Sequence, residues 1–263
     1  MQPLATSNAR VKEARKLSRR SVRAERRLFL ADGPKAVQGA LSVDGCVVEV
    51  FATPDAAQRH GEMLGNAPIT LVDERAMAGL SDSVSPAGVV AICNFIDVEF
   101  DELIDAVPAD GVLAVCADVR DPGNAGTIIR TADASGAAGV VLAGNSVDPY
   151  NDKTVRATVG SLFHLPITVQ PDPLGAVRRL QAAGFTVLAA DGGGETGVYA
   201  LPDPLSGSRV AWLFGNEAWG LPEHLADAAD HRVRIPIIGS AESLNLSTAA
   251  AICLYESARQ RLG

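Results

Sequence analysis

The amino-acid sequence predicts an α/β protein in two parts: a small N-terminal α/β region and a larger C-terminal one built on a parallel sheet. Short apolar runs rich in Val, Leu, Ala and Ile alternate with helix-like segments along the whole chain, as expected when helices cover a sheet. An acidic stretch, residues 96–110 with Pro108, interrupts that alternation once and reads as a connector. Beyond it, strands separated by helices argue for parallel pairing with both faces of the sheet covered.

In order along the chain, residues 8–17 suit a short basic helix with Ser7 or Asn8 as its N-cap. Residues 28–30 form a short apolar run with strand character, and Gly33-Pro34 opens a helix through residue 41. Residues 46–51 read as a strand, 54–64 as a helix, 69–72 as a strand, 74–80 as a short helix and 88–94 as a strand. After the connector come strands at 112–116, 140–142, 167–169, 185–189, 210–214 and 232–235. Helices are expected at 125–135, near 153–159, and at 173–183, 222–229 and 246–260. The domains on this reading are residues 1–100 and 108–263.

The composition fits a globular chain with a core of its own: 263 residues, 47% hydrophobic and 21% charged, with aromatics at only 5%. No run of about 18 apolar residues is present, so no transmembrane helix is expected, and the polar, basic N-terminus lacks a signal-peptide pattern. The four cysteines (Cys46, Cys93, Cys116, Cys253) are widely spaced in apolar runs and read as buried free thiols. A reducing cytoplasm follows as the expected location. His164, His224 and His231 do not cluster at metal-ligand spacing, so no metal is expected. The net charge of −8 hides a split: residues 1–35 carry ten Lys/Arg and three acids, net +7, which leaves −15 on the rest. Such asymmetry fits a basic arm for nucleic acid on an acidic body, and equally a solvated basic helix.

Three segments hold candidate chemistry. The run from Asp118 to Arg130 (DVRDPGNAGTIIR) follows a buried strand. Gly123 and Gly126 allow a tight strand-to-helix turn there, and the helix start offers N–H groups to an anion. Its spacing is not the dinucleotide fingerprint. On residue chemistry alone, an ordinary capped helix with a surface arginine is the favoured reading. The run from Trp212 to Pro222 (WLFGNEAWGLP) carries Gly215, Asn216 and Glu217 just beyond a buried strand, where open α/β sheets bind ligands. The run from Ile235 to Ile252 (IPIIGSAESLNLSTAAAI) holds Ser243 and Asn245 at the start of the last helix, where either residue also serves as an N-cap. Gly192, Gly193 and Gly194 lack the Lys-Ser/Thr of a phosphate loop and read as a turn.

Taken together, in this order and spacing, the three segments resemble the signature motifs of the SpoU-type (TrmH-like) RNA methyltransferases, of the SPOUT superfamily. The matches run from Asp121 to Arg130, from Phe214 to Leu221, and over Arg234–Pro236 with Glu242–Ile252. The stretches at 148–150 and 155–161 also resemble the family, so that about 155 residues are covered. The basic N-terminus resembles, more loosely, the small RNA-binding domain that many members carry. Two departures stand out: Ser247-Thr248 where relatives carry small or β-branched apolar residues, and Trp219 at a variable position often basic in relatives.

The resemblance implies a C-terminal domain with a deep trefoil knot, an obligate homodimer, and S-adenosylmethionine as cofactor. Backbone groups around Leu213, Phe214, Gly215, Asn216, Ile235, Ile237 and Leu244 would hold the cofactor. It implies methyl transfer to a ribose 2′-hydroxyl of RNA, with Arg130, Asn124, Glu217, Ser243 and Asn245 as the catalytic set. Arg19, Arg20, Arg26 and Arg27 are the candidate RNA contacts. A separate N-terminal domain favours ribosomal over transfer RNA. Two alternatives stand beside this reading: a dinucleotide enzyme using the Gly123–Gly126 turn, and a catalytically silent RNA-binding or ribosome-assembly protein on the same fold.

Overall fold

Asn8 starts the first helix by accepting the Arg10 amide on its side chain (2.9 Å), which satisfies one of the N–H groups a helix start leaves open. The computed structural model describes residues 2–201 and 208–262. Helix α1 (Ala9–Arg15) buries Val11 and Ala14. A second helix, α2 (Arg20–Arg26), follows where the sequence reading had stopped at residue 17. Its buried position is an arginine, so the apolar periodicity that marks a helix in sequence is missing there. Strand β1 (Leu28–Asp32), helix α3 (Pro34–Leu41) and strand β2 (Val47–Ala52) lie where the sequence placed them. The expected helix over 54–64 is two short ones, α4 (Pro54–Arg59) and α5 (Gly61–Leu64), because His60 leaves helical geometry ahead of Gly61. Strand β3 (Ile69–Leu71), helix α6 (Glu74–Leu80) and strand β4 (Val89–Asn94) complete a sheet of order β1-β4-β2-β3. In it β4 runs antiparallel to both neighbours and β2 pairs parallel with β3. Val11, Leu17, Leu30, Phe51, Met77 and Val90 form its core on one face.

The stretch read as a connector is not bare linker. Residues Phe100–Ala106 form helix α7, which buries Phe100, Leu103 and Ile104. The acids that made it look like linker include Asp101 and Glu102 in the first turn, where negative charge complements the helix dipole. Then come β5 (Val112–Ala117), α8 (Pro122–Ala134), β6 (Gly139–Ala143), α9 (Asp152–Thr158), β7 (Ile167–Gln170), α10 (Pro173–Ala182) and β8 (Phe185–Ala190). The two-residue β9 (Thr196–Gly197) was not anticipated. Strand β10 (Arg209–Phe214), the short α11 (Glu223–Ala226), β11 (His231–Arg234) and the closing α12 (Leu246–Leu262) follow. All pairings in the second sheet are parallel, in the order β7-β6-β5-β10-β8-β11-β9. Strand β5 is buried at every position, as a central parallel strand covered on both faces must be. Trp212 on β10 donates its indole N–H to Ser257 Oγ on α12 (2.8 Å), which gives a fully buried polar edge its partner.

The chain forms two compact units: Met1–Ile96 with Asp148–His164, and Asp97–Val147 with Leu165–Gly263. Residues 148–164, which the sequence reading grouped with 108–263, pack within the first unit. Asp148 pairs there with Arg23, a side chain only 2% exposed (2.6 Å). The same guanidinium donates to the carbonyls of Leu17 (2.8 Å) and Ser18 (2.9 Å). Tyr150 stacks on Phe95 (3.9 Å between centroids) and lies against Phe29 (4.6 Å), and its hydroxyl accepts the Ile96 amide (2.9 Å). Among the described residues no helix is long and apolar enough to cross a membrane. All four cysteines are free and buried, and burial pushes the Cys116 and Cys253 thiols up to about 12.

Candidate functional site

Adjacent parallel strands β5 and β10 end side by side, with Phe214 opposite Cys116. The chain leaves β10 through Gly215, which no other residue would suit: a Cβ there would lie 2.3 Å from the carbonyl carbon of Gly220 and 2.5 Å from its oxygen. The crowding arises because Asn216 and Gly220 exchange both N–H···O bonds (2.9 Å each), closing a tight loop. The Asn216 side chain is buried and ties that loop to the neighbouring strand. Its Nδ2 donates to the Asp118 carbonyl (2.7 Å), and its Oδ1 accepts the Ala218 amide (2.8 Å). Asp118 itself is in the left-handed region (φ 56°), uncommon outside glycine. Its carboxylate accepts the Asn145 amide (2.7 Å).

Helix α8 begins at Pro122, capped by Asp121, whose carboxylate accepts the Asn124 amide (2.7 Å). The amides of Arg120 and Asp121, just ahead of it, donate to Glu217 (3.2 and 3.0 Å). The sequence reading offered this helix start to a phosphate. The chain's own carboxylates occupy it instead, which removes the seat a dinucleotide pyrophosphate would need. Glu217 also accepts from Asn124 Nδ2 (3.3 Å), and Asn124 Oδ1 in turn accepts from Asn245 Nδ2 (3.0 Å). The remaining amide oxygen of Asn245 caps α12 by accepting the amides of Ser247 (2.9 Å) and Thr248 (3.3 Å). One hydrogen-bonded chain, Glu217–Asn124–Asn245, thus joins all three sequence segments. The Glu217 charge is also felt below it: after burial, it is the second cause holding the Cys116 thiol up.

Beside this chain lies a cavity of about 660 Å³ at the C-terminal ends of β8, β10 and β11. Of the expected cofactor residues, Gly215, Asn216, Ile235, Ile237 and Leu244 line it, as do Glu217 and Ser243 of the expected catalytic set. Leu213 and Phe214 do not line it; they lie within β10 with fully buried side chains. Asn124 and Asn245 do not line the cavity; Asn124 is joined to it by its hydrogen bond to Glu217, and Asn245 by its hydrogen bond to Asn124. Arg130 stands apart. It lies on the exposed side of α8, and no hydrogen bond or ion pair to it is seen among the described residues. At about 100° per residue it is about 120° around the helix from Asn124, with Thr127 between them.

Four further residues line the cavity: Asp191, which the sequence reading does not single out, Gly192, which it assigns to a turn, and Arg234 and Glu242, which it names only as parts of a motif. The available signal was the glycine triplet. It is an ordered turn rather than a loose one: Asp191 accepts the amides of Gly193 (side chain, 3.0 Å) and Gly194 (carbonyl, 3.0 Å). Arg234 clamps it by donating to the carbonyls of Gly194 (2.8 Å) and Glu195 (2.6 Å). A Cβ at Gly194 would meet the β11 backbone at 2.8 Å.

In the first unit, Arg19, Arg20, Arg26 and Arg27 are all exposed, on or beside α2. Arg26 pairs with Glu13 (2.8 Å), and Arg27 lies over the Phe95 ring (5.0 Å). Arg23, counted in the basic segment by the sequence, is withdrawn from any surface role by its burial.

The sequence profile of the SpoU rRNA Methylase family matches residues 111–255. The chain belongs to the SpoU rRNA methylase family. A second profile, the MRM3-like substrate binding domain, matches residues 8–91 of this SpoU-family chain. Over 251 residues it is 32% identical to a 23S rRNA (guanosine(2553)-2′-O)-methyltransferase of Bacillus subtilis, covering 95% of this chain and 96% of that one. It is 39% identical over 185 residues to a 23S rRNA (uridine(2479)-2′-O)-methyltransferase of Streptomyces viridochromogenes, covering 68% and 62% of the two chains. Among solved structures, the AdoMet-bound rRNA methyltransferase of Sinorhizobium meliloti superimposes with a TM-score of 0.85 at 34% identity, over 98% of this chain and 97% of that one. A SpoU methyltransferase of Streptomyces viridochromogenes in complex with AdoMet gives 0.85 at 30% identity, over 97% and 99%.

The lining of the cavity fits the cofactor of this family. Ile235, Ile237, Leu244 and Ala249 provide apolar surface for a nucleoside, and Gly192 and Gly215 provide bare backbone. Asp191, Glu217 and Glu242 add negative charge to the lining, which suits a cofactor that carries a sulfonium cation.

Proposed function

We propose that this chain is an S-adenosylmethionine-dependent RNA methyltransferase acting on a ribose 2′-hydroxyl, with ribosomal rather than transfer RNA as substrate. The observation that carries the reading is the Glu217–Asn124–Asn245 hydrogen-bonded chain beside the cavity of about 660 Å³. It holds the three polar members of the site in one arrangement before any ligand arrives, as positioning catalysis requires. The bound cofactor supplies an activated methyl on sulfur. The protein then has two tasks: to orient the ribose, and to ease loss of the 2′-hydroxyl proton.

Asn124 and Asn245 orient the substrate, each already fixed by a partner on its other side. Ser243, exposed on the cavity wall, hydrogen-bonds the target nucleotide. Arg130 clamps a phosphate next to the target ribose. A guanidinium stays protonated in proteins, so it acts as a fixed positive charge that lowers the hydroxyl's pKa, and the proton leaves to a phosphate oxygen or water. Arg19, Arg20, Arg26 and Arg27 contact RNA phosphates from the first unit.

The same reading includes a trefoil knot and a homodimer. The knot rests on membership of the family alone. The dimer is supported by apolar side chains left exposed in the second unit, Ile238 and Tyr255. Four free buried cysteines support the cytoplasm as its location.

The test is methyl transfer from labelled S-adenosylmethionine to separately purified ribosomal and transfer RNA, followed by nucleoside analysis. Labelled 2′-O-methylnucleoside from ribosomal RNA is expected. Label on transfer RNA alone would overturn the substrate assignment. Tight cofactor binding with no label on either RNA would favour a protein that only binds RNA.

A further inference from the structure

We infer that Trp219 is a stacking platform for a nucleobase of the RNA substrate, held in place by Arg120. The inference rests on the RNA-methylating reading above and adds to it the residue that grips a base. Trp219 is 55% exposed, an unusual state for the largest apolar side chain. Its surroundings do not leave it loose. The loop that carries it is closed by the paired Asn216 and Gly220 backbones, and Glu217, two residues earlier, is anchored on the amides of Arg120 and Asp121. That anchoring brings the Arg120 guanidinium over the indole ring, 5.2 Å from its centroid. A cation over a ring braces and polarises it, and the exposure that remains is free for a second planar partner.

Two ring systems are near enough to compete for that surface: the adenine of the cofactor and a base of the RNA. The cavity decides between them. Glu217, Ala218 and Gly220 all line it, but Trp219 does not. The indole is therefore no part of the wall of the cofactor's space, while it stays within two residues of Glu217, whose carboxylate bonds Asn124. A base stacked on Trp219 would be held beside the reacting ribose and outside the cofactor pocket. Aromatic platforms with an adjacent arginine suit this task, because every base has a π-face and single-stranded RNA is gripped by stacking.

The chain has two tryptophans, and the other, Trp212, is fully buried, so Trp219 emission reports on the platform directly. Wild-type protein and Trp219→Phe are titrated with short uniform-base oligoribonucleotides, with the matched abasic ribose–phosphate chain, and with S-adenosylhomocysteine. Base-bearing oligonucleotides are expected to quench wild-type emission, whereas the abasic chain and S-adenosylhomocysteine do not, and Trp219→Phe loses the response. In methyl transfer to ribosomal RNA, Trp219→Leu should raise KM for RNA roughly tenfold, from the usual strength of base–aromatic stacking. Its kcat should change less than about twofold, with Trp219→Phe close to wild type. Quenching by S-adenosylhomocysteine instead of RNA, or an unchanged KM in Trp219→Leu, would overturn the inference. Base-dependent quenching in a wild-type protein that methylates no RNA would keep the platform and remove the reaction it was placed beside.

Discussion

Replacing Glu217 with Gln removes a charge and turns one acceptor into a donor at the point where the site is tied together. Glu217 Oε1 accepts from the Asp121 amide and from Asn124 Nδ2, while Oε2 accepts from the Arg120 amide. Whichever way the new amide is turned, its NH2 group faces at least one backbone N–H. The lost bond, charge-assisted but solvent-exposed, contributes about 1 kcal/mol. Loss of a negative charge beside the start of α8 adds about 0.3–1 kcal/mol. The sum, about 1–2 kcal/mol, corresponds to a fall in Tm of the second unit by roughly 3–6 °C. Glu217→Ala removes every one of these acceptors and leaves the Asn124 side chain held only by Asn245. Its kcat on ribosomal RNA is expected to fall at least tenfold, the order of one lost positioning contact. Differential scanning calorimetry and steady-state methyl transfer measure the two effects on the same preparations. If Glu217→Ala matched wild type in both Tm and kcat, the view that this carboxylate organises the site would be wrong.

Gly215→Ala forces a methyl into 2.3 Å contact with the Gly220 backbone, so the loop must open. S-adenosylhomocysteine affinity, read by calorimetry, should fall by more than tenfold, and unchanged affinity would refute the role of that close approach. Arg130→Lys keeps the charge but loses the planar fork. Its kcat should fall strongly with S-adenosylhomocysteine binding intact, and near-full activity would exclude a bidentate phosphate clamp. Neutralising Arg19, Arg20, Arg26 and Arg27 should weaken RNA binding and flatten its dependence on salt concentration; an unchanged slope would remove these residues from the interface. Burial, the largest influence, lifts the Asp152 carboxyl from 3.8 to about 6, opposed by Arg23 and Arg156 and aided by Asp82 and Asp32. The folded chain therefore holds this proton more tightly than the unfolded chain does. Its cost to stability grows as pH rises from about 4 to about 6 and is complete above that. Asp152→Asn should stabilise the first unit by about 1–3 kcal/mol at pH 7.5 and by little near pH 4, measured by denaturant titration at both pH values.

Local chemistry was enough for most of the elements. The apolar runs that became β5 and β10, the Asn8 cap, and Pro34 and Pro173 at helix starts all act over a few residues, so their meaning survives without the rest of the chain. The three motifs were likewise legible, because their glycines, asparagines and acids keep a fixed spacing. Failures occurred where a distant partner sets the outcome. Helix α2 was hidden because its buried residue is Arg23, tolerable inside only with Asp148 and two carbonyls around it. The same pair, with Tyr150 on Phe95, draws residues 148–164 into the first unit against their place in the sequence. Helix α7 passed for linker because its acids are conspicuous, while Phe100, Leu103 and Ile104 matter only once a sheet is there to receive them.

By itself, then, the sequence determined the α/β class with its parallel sheet and the three motifs whose order and spacing resemble a family, since these follow from residue type and short-range spacing. Only the tertiary structure decided what those residues do to one another. Asp121, not a phosphate, caps the start of α8, and Glu217 takes the amides just ahead of it; Asn124 and Asn245 meet across 121 positions of chain; and Trp219 is no part of the cavity wall that its neighbours line. The physical reason is that hydrogen bonds and stacking act over a few ångströms of space, and no local pattern in a chain records which distant groups folding will bring within that range.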